Sequence, residues 1–284
     1  MIKTNQSKLP IIAVSGEIWH PKGGAAGKVT ADGDVVWLAG TGGITYNAQI
    51  GDTCLGWVAD HLEPGVTTRH KNDEHNQAYN ILSCIGNDAF ITSGDAKGAK
   101  GLVTGKHGGS EHLLIYFPPE VLEILNIGDI ITVRATGQGM QLSDYPDVKL
   151  RNISPTLLSK LNIVEDNGKI KIGVSKIVPA SIMGSGLGAT GTARGDYDIT
   201  LFCDKIVEEY DLSGLRFGDI VAIQDADTRY GRSFKTGACT IGVVVHGDCV
   251  IAGHGPGVTT LITSHLPIIE PFIDTDANLA SFFL

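Results

Sequence analysis

The densest gathering of reactive side chains is the stretch "GDAKGAKGLVTGKHGG", Gly94 to Gly109, in which Asp95, Lys97, Lys100, Lys106 and His107 stand among glycines. Successive glycines let backbone N–H groups converge on an anion, and lysines add charge. The stretch is therefore expected to hold an anionic substrate, with Gly94, Lys100 and Lys106 binding it and Asp95, Lys97 and His107 as catalytic candidates. A lysine would hold the negative charge while Asp95 or a histidine transfers protons. The stretch is not a P-loop: the G-x-x-x-x-G-K-[ST] spacing fails and no apolar-periodic helix follows. A solvated loop is the plain alternative.

A second glycine-rich segment, "IMGSGLGATGTARGDYDI", offers Gly184, Gly186 and Gly188 for a pocket wall, and Arg194 for an anionic group with Asp196 or Asp198 paired to it. A turn and a strand follow instead of an amphipathic helix, which argues against a dinucleotide fingerprint. In "DADTRYGR", Asp225 and Asp227 are two apart and share a face if the strand continues. Paired carboxylates suit a divalent metal, the one cofactor this sequence suggests. Arg229 and Arg232 could neutralise them as plain ion pairs instead.

In "VVVHGDCVIAGHGPGVTT", Gly247-Asp248 reads as a two-residue hairpin turn. That register pairs His246 with Cys249 and points His246 and His254 to opposite faces; His254, among glycines, is the catalytic candidate and His246 reads as a core histidine. The run "HLEPGVTTRHKNDEH" gathers His61, Glu63, His70 and His75 without an H-E-x-x-H spacing, and reads as a solvated helix cap. No G-x-S-x-G elbow anchors a serine hydrolase.

The elements that must position these residues are mostly strands. Short helices are expected over Asp73–Ser83, Pro118–Gly128, Ser154–Leu161 and Asp204–Gly214. Runs such as "EHLLIYF", "DIITVRA", "DIVAIQD", "CTIGVVVH", "CVIAG" and "VTTLIT" read as strands. The fold class is β-rich α+β, with barrel-like sheets. The boundary falls near the polar segment Gln141–Pro155, dividing residues 1–145 from 146–284.

Two segments echo each other, passing from a short helix through Gly128-Asp129 or Gly218-Asp219 into a strand. They resemble the helix–"GD box"–strand element of cradle-loop barrels. Further echoes link "EPGVTT" at Glu63 with "GPGVTT" at Gly255, and Gly98-Ala99…His107-Gly108 with Gly237-Ala238…His246-Gly247. Their order differs between the halves, so a simple tandem duplication is not supported.

Thirty-one acids against twenty-two bases give a net charge of −9, which argues against nucleic-acid partners and anionic membrane surfaces. No apolar stretch is long enough to span a membrane, and the N-terminal apolar run is too short for a signal-peptide core. Five scattered cysteines without a C-x-x-C pair favour reduced thiols and a cytoplasmic setting. The 37 glycines are about twice the usual share. With few aromatics, they hint that subunits share the burial of surface in a homo-oligomer.

The combination of "SGDAKGAKGLVTGKHGG", "VPASIMGSGLG", "GDYDI", "LRFGDIVAIQDADTRYGR" and "AGHGPGVTT" resembles an uncharacterised bacterial and archaeal family known as a domain of unknown function. The resemblance implies no activity. The segment Gly94–Gly101 also resembles the G-D-x-H-x-x-Q-G element of the acetamidase/formamidase family, with Lys97 in place of the His and Lys100 in place of the Gln. The sequence points to a soluble enzyme, hydrolase or lyase in type, acting on a small polar or anionic metabolite. The alternative is a non-catalytic small-molecule-binding or scaffold protein.

Overall fold

Six antiparallel strands close into a barrel in the computed structural model, which describes residues 2–22, 27–187 and 191–284. They are β1 (Ile12–Ile18), β2 (Gly65–Arg69), β3 (Asp88–Ile91), β4 (Lys100–His107), β5 (His112–Tyr116) and β6 (Ile130–Ala135). Their order is β1-β6-β3-β4-β5-β2, and β2 returns to β1 through Glu17↔Arg69 and Ile18↔Thr68. Closure leaves these strands without a free edge. Ile18, Val103, Leu113, Ile115, Ile131 and Val133 are buried in one core cluster. A helix, α1 (Asp73–Leu82), covers β1 and β5, with Asn72 as its N-cap accepting from the His75 N–H.

The second half is built on a five-stranded sheet of β7 (Lys149–Leu150), β8 (Lys176–Pro179), β9 (Ile220–Asp227), β10 (Ser233–Val244) and β11 (Val258–Ser264), ordered β7-β11-β10-β9-β8. Only β8 and β9 run parallel within it. A three-stranded sheet lies beside it, from Ile163–Asp166, Lys169–Val174 and Ile269–Ile273. The halves share a core: Leu114 of β5 clusters with Ile241 of β10 and Leu261 of β11. The protein is thus β-rich with few short helices and a closed barrel. Among the described residues no helix is long and apolar enough to cross a membrane.

Both Gly-Asp turns form as the local sequence dictates. Gly128 and Gly218 take φ of 90° and 81°, in the left-handed region open to glycine. Each aspartate then accepts the N–H three residues back, Asn126 to Asp129 and Arg216 to Asp219, both at 2.8 Å. The two copies serve different sheets: the first opens β6 of the barrel, the second β9 of the open sheet. They are therefore not two halves of one cradle-loop barrel.

Asp219 is almost wholly buried and also accepts from the Arg216 guanidinium and from Asn278 Nδ2. Asp219→Ala is expected to cost about 2–3 kcal/mol by stranding these donors, against about 1 kcal/mol for Asp129→Ala. Urea unfolding of the two variants measures the difference; equal losses would show that the extra donors contribute nothing.

The chain between β10 and β11 is a correction to the expected hairpin. β10 ends at Val244 and β11 starts at Val258, so Gly247-Asp248 is not a two-residue turn and "CVIAG" is not a strand. The backbone there finds partners across the molecule: Gly247 N–H donates to the Leu62 carbonyl and Asp248 N–H to that of Cys54. Buried amides must be paired, and these pair with the N-terminal half instead of with their own hairpin.

Candidate active site

Four segments meet where the barrel abuts the open sheet: the end of β4 with His107, the approach to β2 with His61 and Glu63, residues 196–198, and the 245–257 loop. At the base, Glu63 is wholly buried. It accepts from His107 Nδ1 at 2.5 Å, His112 Nδ1 at 2.9 Å, Thr67 Oγ1 at 2.6 Å and Gly42 N–H at 2.6 Å. Burial alone would push its carboxyl up; the hydrogen bonds and charge of His107 and His112 outweigh it and hold Glu63 well below the usual range. Because His107 Nδ1 is committed to Glu63, Nε2 is its free nitrogen.

His246 is the counterpart from the other half, its ring centroid 4.2 Å from that of His107. Its Nδ1 donates to the Gly247 carbonyl at 2.9 Å and its Nε2 lies 2.6 Å from Asp196 Oδ2. Burial disfavours the charged ring, yet the charge and hydrogen bond of Asp196 raise His246 to about 9. The other Asp196 oxygen accepts the Gly108 N–H at 2.7 Å. One ligating atom from each of His107, Asp196 and His246 lies within 4.8 Å of the others.

A second group adjoins the first. His61, at φ 55°, places Nε2 3.2 Å from His254 Nδ1, and Cys249 Sγ completes a set within 4.8 Å. Asp60, nearly fully buried, faces His61 Nδ1 at 3.2 Å, accepts from Cys249 Sγ at 2.9 Å, and pairs with Lys28. Burial and the bond to Asp60 push the Cys249 thiol up. Asp198 stands between the two groups, Oδ1 3.8 Å from His246 Nε2 and Oδ2 3.2 Å from His254 Nδ1. Burial lifts its carboxyl to about 7, with the charge of Asp196 adding to the rise against that of His246.

Two cavities open onto this cluster and share His61, His107 and His254. One, about 340 Å³, is walled by Gly186, Arg194, Asp196, Asp198 and His246. The other, about 540 Å³, is walled by Lys22, Lys28, Trp37 and Asp60.

Of the residues singled out from sequence, His107 and His254 lie in the cluster, while Arg194 and Gly186 line its smaller cavity. Arg194 is 3.7 Å from Glu111. Gly184 sits behind the wall, packed against the Gly253 carbonyl, and Gly188 lies outside the described residues. Lys106 is wholly buried and donates to Asn152 Oδ1 at 2.8 Å and to the Ala193 carbonyl at 2.9 Å. Burial brings its ammonium down to about 8. It holds the loop that carries Arg194 and Asp196 and does not face either cavity.

Gly94, Asp95, Lys97 and Lys100 are exposed at the opposite end of β4 from His107, with Lys100 paired to Asp88 at 3.0 Å. The structure does not bring them to the histidines, and the acetamidase-like element falls in this exposed turn. Asp225 and Asp227 do not converge either. A bulge with Asp225 at φ 60° interrupts the strand. Asp225 accepts the Gly237 N–H, and Asp227 forms a two-pronged pair with Arg229.

The sequence places His61 and Glu63 in a solvated helix cap, yet both are buried here. It marks Cys249 only as a hairpin partner of His246, His246 as core, and Asp196 and Asp198 only as partners of Arg194, and it does not single out His112. The echoes held the signal. His107-Gly108 closes β4, His246-Gly247 follows two residues after the end of β10, and the two P-G-V-T-T segments begin β2 and β11 close behind His61 and His254.

The sequence matches the N-terminal and C-terminal parts of a family described as a domain of unknown function (DUF4438), at residues 28–159 and 160–283. The chain belongs to that family. A solved structure, the crystal structure of TM1086, is similar to it at 46% sequence identity and a TM-score of 0.95, covering 100% of this chain and 99% of that one. No curated protein matches the chain.

Proposed function

We propose that this member of the DUF4438 family is a metal-dependent hydrolase of small anionic metabolites, with the ion held by His107, Asp196 and His246. The observation that carries the reading is the orientation of the two imidazoles. Each commits Nδ1 to an acceptor, Glu63 for His107 and the Gly247 carbonyl for His246, and so turns Nε2 inward. His246 Nε2 meets Asp196 Oδ2 at 2.6 Å, where a bound ion would take the place of the shared proton. Outer acceptors of this kind fix the tautomer and raise the basicity of metal-ligating histidines. A carboxylate with two imidazoles would suit zinc or a similar divalent ion.

A divalent ion held by these residues would supply Lewis-acid activation of water for hydrolysis at neutral pH. Asp198 adds a second carboxylate to the lining of the cavity. Arg194, which lines the same cavity, provides the planar cation that pairs with a substrate carboxylate. A cavity of about 340 Å³ limits the substrate to a small molecule.

The test is turnover. Chelator-treated protein reloaded with Zn²⁺ or Mn²⁺ is expected to hydrolyse members of a panel of small carboxylate-bearing amides and esters. Arg194→Ala should raise KM about tenfold, the worth of one charge-assisted contact, with kcat nearly kept. Metal uptake without turnover would favour the metabolite-binding alternative. Failure of the protein to take up any divalent ion would overturn the reading.

A further inference from the structure

We infer that His61, Cys249 and His254 form a second metal site, for a zinc-type ion, and that Asp198 bridges it to the ion on His107, Asp196 and His246. The bridge, though not the second site, rests on the functional reading above.

Spacing is the first argument. His61 Nε2 and His254 Nδ1 are 3.2 Å apart. Two nitrogens bound tetrahedrally to one zinc at ~2.05 Å stand about 3.3 Å apart. Asp198 Oδ2 is likewise 3.2 Å from His254 Nδ1, the separation of a neighbouring ligand on the same ion. Its other oxygen turns to His246 Nε2 at 3.8 Å, so each carboxylate oxygen faces one group. This is the arrangement of a carboxylate shared by two ions, as in sites where paired metals clamp the reacting oxygens.

The surroundings of the three ligands are also those of a metal centre. His61 Nδ1 faces Asp60 Oδ2 at 3.2 Å, which leaves Nε2 as a lone-pair donor. The Ile251 N–H points at Cys249 Sγ at 3.3 Å and would support a thiolate. Lys28 neutralises the Asp60 charge beside that sulfur. His61 is held at φ 55°, a left-handed backbone state that a non-glycine residue rarely adopts. That conformation sets its ring 5.0–5.6 Å from the rings of His246, His254 and His107. His254 lines both cavities, so the ion would have an open side towards substrate. Two imidazoles and a thiolate select zinc over magnesium or calcium. Binding converts the Cys249 thiol to thiolate, and its proton leaves to solvent.

The experiment is a Co²⁺ titration of chelator-treated protein, following stoichiometry by calorimetry and the thiolate-to-cobalt charge-transfer absorption in the ultraviolet. Only the second site contains sulfur. Wild type is expected to bind two equivalents and to develop the charge-transfer band; Cys249→Ser should lose the band and one equivalent. His61→Asn, whose side chain tolerates a left-handed backbone, should do the same and serves if Cys249→Ser does not fold. Cys203→Ser controls for the one exposed cysteine. Two equivalents with a band that survives His246→Ala, while one equivalent is lost, support both sites. A band with no equivalent lost in His246→Ala would keep the second site and remove the first. One equivalent without a band, or a band unchanged in both Cys249→Ser and His61→Asn, would overturn the inference.

Discussion

Glu63→Ala is expected to lower the free energy of unfolding by about 3–5 kcal/mol, the usual loss when one partner of a buried ionic pair is removed. For a chain of this size that is on the order of 10 °C in melting temperature. The reason is the number of donors that converge on one carboxylate. His107, His112, Thr67 and the Gly42 amide all point at it in a place where no water reaches. Each donor left without an acceptor costs a desolvation penalty that the native bond had offset. Glu63→Gln keeps the shape but turns one acceptor into a donor, so it should recover only part of the loss. The replacement also frees the His107 ring to rotate, so metal affinity should fall together with stability. Thermal melts with and without Zn²⁺ read both effects. A Glu63→Ala protein that melts like wild type would mean the carboxylate does not hold this end of β4 to β2.

What was legible in the sequence was local. The Asp-capped turns at Gly128 and Gly218, the cap at Ser154, and most strands follow from residues within four positions of one another. The site depends instead on which strand ends face which. Lys97 and His107 belong to one glycine-rich stretch, yet eight residues of β4 carry them to opposite ends of the barrel. Composition alone assigns them one role; the strand between them assigns two.

His61 and Glu63 stand near His70 and His75, which do flank a helix start at the surface. They are instead drawn inside because β2 begins at Gly65 and leads into the barrel wall. His246 and His254 would face apart in a hairpin, but the amides of the 245–257 loop pair with Leu62 and Cys54, and both rings turn to the shared cluster. The repeated His-Gly and P-G-V-T-T segments were visible in the sequence. Their meaning, strand ends brought to one place from two halves, required the fold.

Gly257→Ala is expected to weaken binding of the ion on His107, Asp196 and His246 by about 10- to 100-fold, although it removes no ligand. A β-carbon at position 257 would lie 2.1 Å from Asp196 Oδ2 and 2.2 Å from His246 Nε2. Neither group can yield: both are buried, His246 is tied to the Gly247 carbonyl and Asp196 to the Gly108 amide. The methyl must therefore push the two ligands apart or displace β11, whose first pairing, Val244↔Val258, adjoins it. Overpacking of this kind costs about 1–3 kcal/mol, so the protein should still fold at neutral pH and metal affinity is the more sensitive readout. Gly108→Ala provides the graded comparison, since its β-carbon would stand 3.0 Å from Asp196 Oδ1 and ask for a smaller shift. Calorimetric Zn²⁺ titrations should rank wild type, Gly108→Ala and Gly257→Ala in falling order of affinity at the sulfur-free site. Cys249→Ser in the background of each removes the second ion from the measurement. Unchanged affinity in Gly257→Ala would mean that Asp196 and His246 are not ligands of one ion, and the pair would then be a buried imidazolium–carboxylate bond and nothing more.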